Sequence, residues 1–267
     1  MVANRIIWAL LFLIVLLLAT RSLRATVASA RSLRTVAILG VAAVFLAVNW
    51  GTYVYAVESN QVVQGSLGYF INPLVSVGLG VLVLRERLRP GQWTAVGIAV
   101  AAVLVLTVSY GHPPWLSLVL AFTFGIYGLI KKQVSLPAAT SLTIETAVLT
   151  PVALIVIAIG AAHGTSALAS GEPHVWLLMV LLGPVTAVPL LAFSGAARRI
   201  PLSTVGLLQY LTPVVQFLIA IAVFHEPMSP SRWVGFLLVW TSLIVMTVDG
   251  LRHARNRADD LEVVDLD

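Results

Sequence analysis

The chain contains no cysteine, and only 10% of its residues carry a formal charge. The first absence rules out disulfides, thiolate metal sites and a cysteine nucleophile. The second separates the chain from ordinary globular domains, in which about a quarter of the residues are charged. Other chemistry is missing too. There is no Walker-type phosphate loop, and His112, His163, His174, His225 and His253 are scattered without metal-ligand spacing. No nucleophile stands beside a base, so no catalytic residue, no metal site and no cofactor is expected.

What is present is apolar. Hydrophobic residues make up 59% of the 267 residues, in runs near the roughly 20 needed to cross a bilayer. Nine spans are expected: Ile6–Thr20, Thr35–Ala56, Leu67–Leu84, Trp93–Tyr110, Trp115–Ile130, Thr143–Ile159, Val175–Phe193, Ser203–Phe224 and Arg232–Asp249. Each must be helical, because lipid offers no partner to an open backbone and a strand barrel would show alternation. The fold class is therefore an all-α polytopic membrane protein.

The formal charge of +5 does not indicate nucleic acid, since the basic residues sit at the ends of apolar runs. Threading nine spans puts Arg21, Arg24, Arg31, Arg34, Arg85, Arg87, Arg89, Lys131, Lys132, Arg198, Arg199, Arg252, Arg255 and Arg257 on one face. Arg5 and Arg232 stand opposite. The positive-inside rule makes the rich face cytoplasmic, and the C-terminus with it. The first run lacks a small-residue cleavage site and is not read as a signal peptide.

A shift of 140 residues aligns Phe70 with Tyr210, Pro73 with Pro213, Glu86 with Glu226, Pro90 with Pro230 and Trp93 with Trp233. The same shift lays the first four spans on the last four and leaves Trp115–Ile130 without a mate. Its mate would lie upstream of Met1. The expectation is thus a first helix missing from a repeat of five, with nine spans here and ten in the intact form, through a miscalled start. The first repeat covers 1–110, the second 111–250, and residues 251–267 form a cytoplasmic tail that turns from basic to acidic. A repeat of five helices inverts its successor, the arrangement of transporters that bind solute near the midplane and expose it alternately to either side.

Polar residues inside spans are costly and mark candidate sites. The candidate substrate cavity comprises Asn49, Tyr53, Tyr69, Asn72, Gln209, Tyr210 and Gln216, a set of amides and aromatics suited to an amphipathic or cationic solute. Interhelical glue and interfacial anchoring account for the same residue types. Pro73 and Pro213 bend their helices and free a carbonyl. Glu145 is the candidate coupling carboxylate for a cation or proton, with Lys131 and Lys132 on the same face as neutralising partners. Glu86 and Glu226 occupy related turns and read as turn residues or gates.

Several strings resemble a known family: Asn-Trp-Gly-Thr-Tyr at 49–53, Ser-Leu-Gly-Tyr-Phe-Ile-Asn-Pro-Leu at 66–74 and Tyr-Gly-Leu-Ile-Lys-Lys at 127–132. Glu-Thr at 145–146 with Pro151, and Leu-Ser-Thr-Val-Gly-Leu-Leu-Gln-Tyr at 202–210, belong with them. Together they are similar to RarD-type members of the EamA branch of the drug/metabolite transporters. The resemblance implies two inverted five-helix repeats in a bacterial inner membrane. The expected function is a secondary transporter that exports small metabolites or drug-like solutes, with small-molecule solute and lipid as its partners. An inactive or scaffold-type membrane protein and a membrane-embedded lipid-modifying enzyme remain as alternatives.

Overall fold

A computed structural model describes residues 2–59, 61–110, 114–163, 173–215 and 230–264. All regular structure among them is helical: α1 (Val2–Ala19), α2 (Leu23–Ala30), α3 (Leu33–Glu58), α4 (Val62–Leu82), α5 (Pro90–Tyr110), α6 (Trp115–Gln133), α7 (Ala138–Ala162), α8 (Pro173–Arg199), α9 (Leu202–Leu208) and α10 (Pro230–Val264). Eight of these helices contain stretches long and apolar enough to span a membrane. The protein is a multi-pass membrane protein.

Local chemistry sets the helix boundaries. Proline opens α5, α8 and α10, where its missing N–H costs nothing and its fixed φ suits the first turn. The Ser32 hydroxyl accepts from Thr35 N–H at the start of α3. Lys131 and Lys132 close α6, and Arg198 and Arg199 close α8, placing positive charge on the negative end of each helix. The helix α2 has no counterpart among the expected spans; it occupies the basic stretch between the first two. The last helix runs past the expected end of its span at Asp249, into the tail.

The expected span Ser203–Phe224 behaves differently. The helix α9 stops at Leu208, Gln209 and Tyr210 form a turn, and helix resumes over 211–215; the rest of that span lies outside the described residues. Pro213 explains the break, because its ring crowds the carbonyl four residues earlier, that of Gln209. Pro73, Pro151, Pro184 and Pro189 lie inside continuous helices.

The chain forms two compact units, residues 1–60 with 123–201, and residues 61–122 with 202–267. In the first, α1 packs on α7 and α8, and α3 on α7. Leu13, Leu46, Tyr127, Leu142 and Leu190 form its buried core. A Cβ on Gly183 would lie 2.5 Å from the carbonyl oxygen of Trp8, so only glycine lets α8 approach α1 this closely. Just beyond α1, Thr26 meets Thr140 in the first turn of α7, hydroxyl to hydroxyl at 3.0 Å, which makes α1 and α7 antiparallel.

The second unit pairs α4 with α9 and α5 with α10. Three contacts trace α5 against α10 in reverse order. Arg89 Nη2 meets Asp249 Oδ2 at 2.7 Å, Ser242 Oγ donates to the Ala95 carbonyl at 2.7 Å, and Ser109 Oγ donates to Ser231 Oγ at 2.7 Å. Ala95, Ala99 and Ala102 form the fully buried stripe that lets these helices close up. Of the helices matched by the 140-residue shift, α1 with α7, α4 with α9 and α5 with α10 pack together within a unit, running in opposite directions. Large aliphatic side chains such as Leu82, Val108, Val152 and Val185 are exposed, the surface expected where lipid is the solvent.

Candidate functional site

The candidate residues fall into two groups, one in each unit. Asn49, Tyr53 and Glu145 belong to the first unit, and Tyr69, Asn72, Gln209 and Tyr210 to the second. Gln216 and Glu226 lie outside the described residues.

In the second unit, α4 and α9 touch at Gly206. A Cβ there would lie 2.8 Å from the Pro73 carbonyl oxygen and 2.9 Å from the Ser76 Cβ. That close approach brings Asn72, just before Pro73, to Gln209 in the turn after α9. Asn72 Nδ2 donates to Gln209 Oε1 at 2.5 Å. The pair leaves Asn72 Oδ1 and Gln209 Nε2 buried without partners, and the Tyr210 hydroxyl is buried and unpaired beside them in sequence. Reversing both amides changes nothing essential, since one mutual bond always leaves an acceptor on one residue and a donor on the other. Asn72 is only 7% exposed and Tyr210 is fully buried. Leaving such groups unmet costs about 1–3 kcal/mol each. Tyr69 is half-buried on the same helix as Asn72.

Glu86 caps a helix. Its Oε1 accepts from Leu202 N–H at 2.7 Å, and its Oε2 accepts from Ser203 N–H at 2.8 Å and from the Ser203 hydroxyl at 2.6 Å. A carboxylate from the loop after α4 thus caps the first turn of α9, satisfying donors the helix leaves open and facing its positive end. It holds the register that sets Gln209 opposite Asn72.

In the first unit, Asn49 Nδ2 donates to the Thr123 hydroxyl at 3.0 Å, joining α3 to α6, and Tyr53 is half-buried one turn further along α3. Glu145 is paired. Its Oε1 accepts from Lys131 Nζ at 2.5 Å, and its Oε2 accepts from the Tyr127 hydroxyl at 3.2 Å. Lys131 also donates to Ser141 Oγ at 2.5 Å. The two charged side chains are 1% and 0% exposed. Phe124, Tyr127 and Phe193 surround this end of α6 with rings 4.9–6.0 Å apart, centre to centre. Lys132 turns the other way and donates to the Ile200 carbonyl at 2.6 Å. Arg5, which the 140-residue shift sets opposite Glu145, lies over the Trp50 ring instead, 5.3 Å from its centre.

The sequence signal for this cluster is helical spacing. Tyr127 and Lys131 are four apart on α6, and Ser141 and Glu145 four apart on α7, so each pair shares a face. Among the described residues no three histidine or carboxylate side chains gather to hold a metal.

The EamA-like transporter family matches residues 1–108 and again 114–248. Protein RarD of Streptomyces exfoliatus is 49% identical over 261 residues, covering 97% of this chain and 82% of that relative. An uncharacterized transporter of Bacillus subtilis, YojE, is 40% identical over 256 residues, covering 95% and 85%. Protein RarD of Escherichia coli K12 is 37% identical over 252 residues, covering 94% and 85%. A protein of known crystal structure superposes with a TM-score of 0.67 at 18% identity, over 94% of this chain and 87% of that one, and so shares the fold. The chain belongs to the EamA-like transporter family as a RarD-type member, and it is a multi-pass membrane transporter of the drug/metabolite type.

Proposed function

We propose that this protein is a secondary transporter, with no catalytic step of its own, that exports small metabolites or drug-like solutes by alternating access. Its two repeats span 1–110 and 111–250, residues 251–267 form the tail, and it resides in the bacterial inner membrane with the C-terminus in the cytoplasm. The solute is held by Asn72, Gln209 and Tyr210, with Tyr69 on the same helix as Asn72. Glu145, neutralised at rest by Lys131, is the coupling carboxylate.

The observation that carries this reading is the buried acceptor, donor and hydroxyl left unpaired on Asn72, Gln209 and Tyr210. Such groups are expensive in an apolar span and are retained where something binds them. Flux of a panel of amino acids and drug-like amphiphiles in proteoliposomes tests it. Asn72→Leu and Gln209→Leu should each lower the flux of a transported solute at least tenfold, about the loss of one hydrogen bond of 1.4 kcal/mol, while inserting normally. Undiminished flux in both variants would remove these residues from the site.

A further inference from the structure

The basic end of the first unit has a feature that transport does not use. The helix α2 is anchored on one side by Thr26, whose hydroxyl meets Thr140. Its opposite stripe, Arg24, Val27, Ala28 and Arg31, recurs at helical spacing and is exposed along its whole length. Arg21 precedes the helix and Arg34 follows it, both exposed, with Leu33 between Arg31 and Arg34 at 82% exposure. Two further exposed arginines, Arg198 and Arg199, end α8 on the same side of the unit, where Arg198 Nη2 donates to the Ser135 carbonyl at 3.4 Å in the loop leading into α7.

Among the described residues no carboxylate balances these guanidinium groups. From Met1 to Val57 the chain contains no acidic residue at all, the first being Glu58 at the far end of α3. Glu145, the acidic residue of α7, is buried and engaged by Lys131. Arg21 also takes a left-handed φ of 55°, the conformation that glycine usually supplies where a helix ends this way. The chain keeps a large cation there at the cost of backbone strain.

We propose that the outer stripe of α2 lies in the headgroup layer and binds anionic phospholipid. Arg24 and Arg31 hold headgroup phosphates from either side of Val27, Arg21 and Arg34 extend the strip at its ends, and Val27 and Leu33 enter the acyl boundary. The combination of alternating guanidinium and aliphatic groups on a short helix between two spans matches that layer chemically. Guanidinium is the side chain best shaped to hold a phosphate through two parallel bonds.

The test is a titration of the purified full chain in neutral detergent with phosphatidylglycerol and, separately, phosphatidylcholine, with retained lipid counted by native mass spectrometry. Each arginine at an anionic surface weighs about fivefold in affinity. Arg24→Gln with Arg31→Gln should therefore weaken phosphatidylglycerol binding about 25-fold and leave phosphatidylcholine binding unchanged. Arg87→Gln with Arg252→Gln, which removes the same charge from exposed positions of the other unit, should leave the phosphatidylglycerol affinity within about twofold of the parent. Arg24→Lys with Arg31→Lys keeps the charge and checks that folding is intact. Arg21→Gly, which relieves the backbone, should raise thermal stability without lipid and still weaken phosphatidylglycerol binding about fivefold. Equal losses in the α2 variant and the control of the other unit, or an α2 variant that binds phosphatidylglycerol like the parent, would overturn the proposal.

Discussion

Replacing Glu145 by leucine strands the Lys131 ammonium, whose side chain is 1% exposed and keeps only neutral partners, the Ser141 hydroxyl and the face of the Tyr127 ring 5.7 Å away. Breaking a buried ion pair from one side costs about 3–5 kcal/mol, because the surviving charge is desolvated without compensation. Removing both charges is different: Lys131→Met with Glu145→Leu exchanges a pair for apolar side chains of similar size, a change that is often close to neutral. The single variant should therefore melt roughly 10 °C below the parent, taking about 3 kcal/mol and about 3 °C per kcal/mol for a chain of this size. The double variant should recover most of that loss. Thermal unfolding followed by size-exclusion chromatography in detergent reads both. A single variant as stable as the parent, or a double variant no better than the single, would refute the pair as a mutually compensating charge unit. The same variants separate structure from transport. A double variant that is stable but no longer shows proton-driven accumulation of solute would place the charge in coupling rather than in packing.

Three further outcomes follow from the geometry. Gly206→Val should push α9 away from the Pro73 carbonyl and cost about 1–3 kcal/mol, visible as a lower melting temperature together with loss of flux, since it also separates Gln209 from Asn72. Glu86→Ala should destabilise by roughly 0.5–2 kcal/mol through loss of the cap on α9, and chymotryptic cleavage near Leu207 and Leu208 should speed up accordingly. Arg89→Ala should cost about 1 kcal/mol, read as a lower melting temperature, because the two side chains of its pair with Asp249 are 34% and 21% exposed although the Asp249 Oδ2 it meets is buried.

Composition and periodicity by themselves determined the solvent of this fold, its helices and its internal symmetry. Each depends on local features: apolar runs long enough to cross lipid, proline and polar residues at their ends, and matched residues 140 apart. The opposite directions of α1 and α7, α4 and α9, and α5 and α10 agree with that symmetry. Resemblance in strings such as Asn72-Pro73 and Gln209-Tyr210 identified the family for the same reason, since a motif survives without knowledge of its neighbours.

Only the tertiary structure decided which polar groups meet. Hydropathy assigns a residue to a span but not the rotation or depth of one helix against another, and lipid favours no rotation over the rest. Those are fixed where small residues let backbones touch, at Gly183 against Trp8 and at Gly206 against Pro73. From these contacts follow the pairing of Asn72 with Gln209 and the reach of Glu86 to the end of α9. The burial of Lys131 with Glu145 was within range of the sequence, through their shared basic end, but its completeness was not: it needed Tyr127 and Ser141 on the facing sides of α6 and α7. The break at Gln209 and Tyr210 was likewise hidden, because Pro73 and Pro213 look alike in sequence. One lies inside a continuous helix, and the other just beyond the end of one.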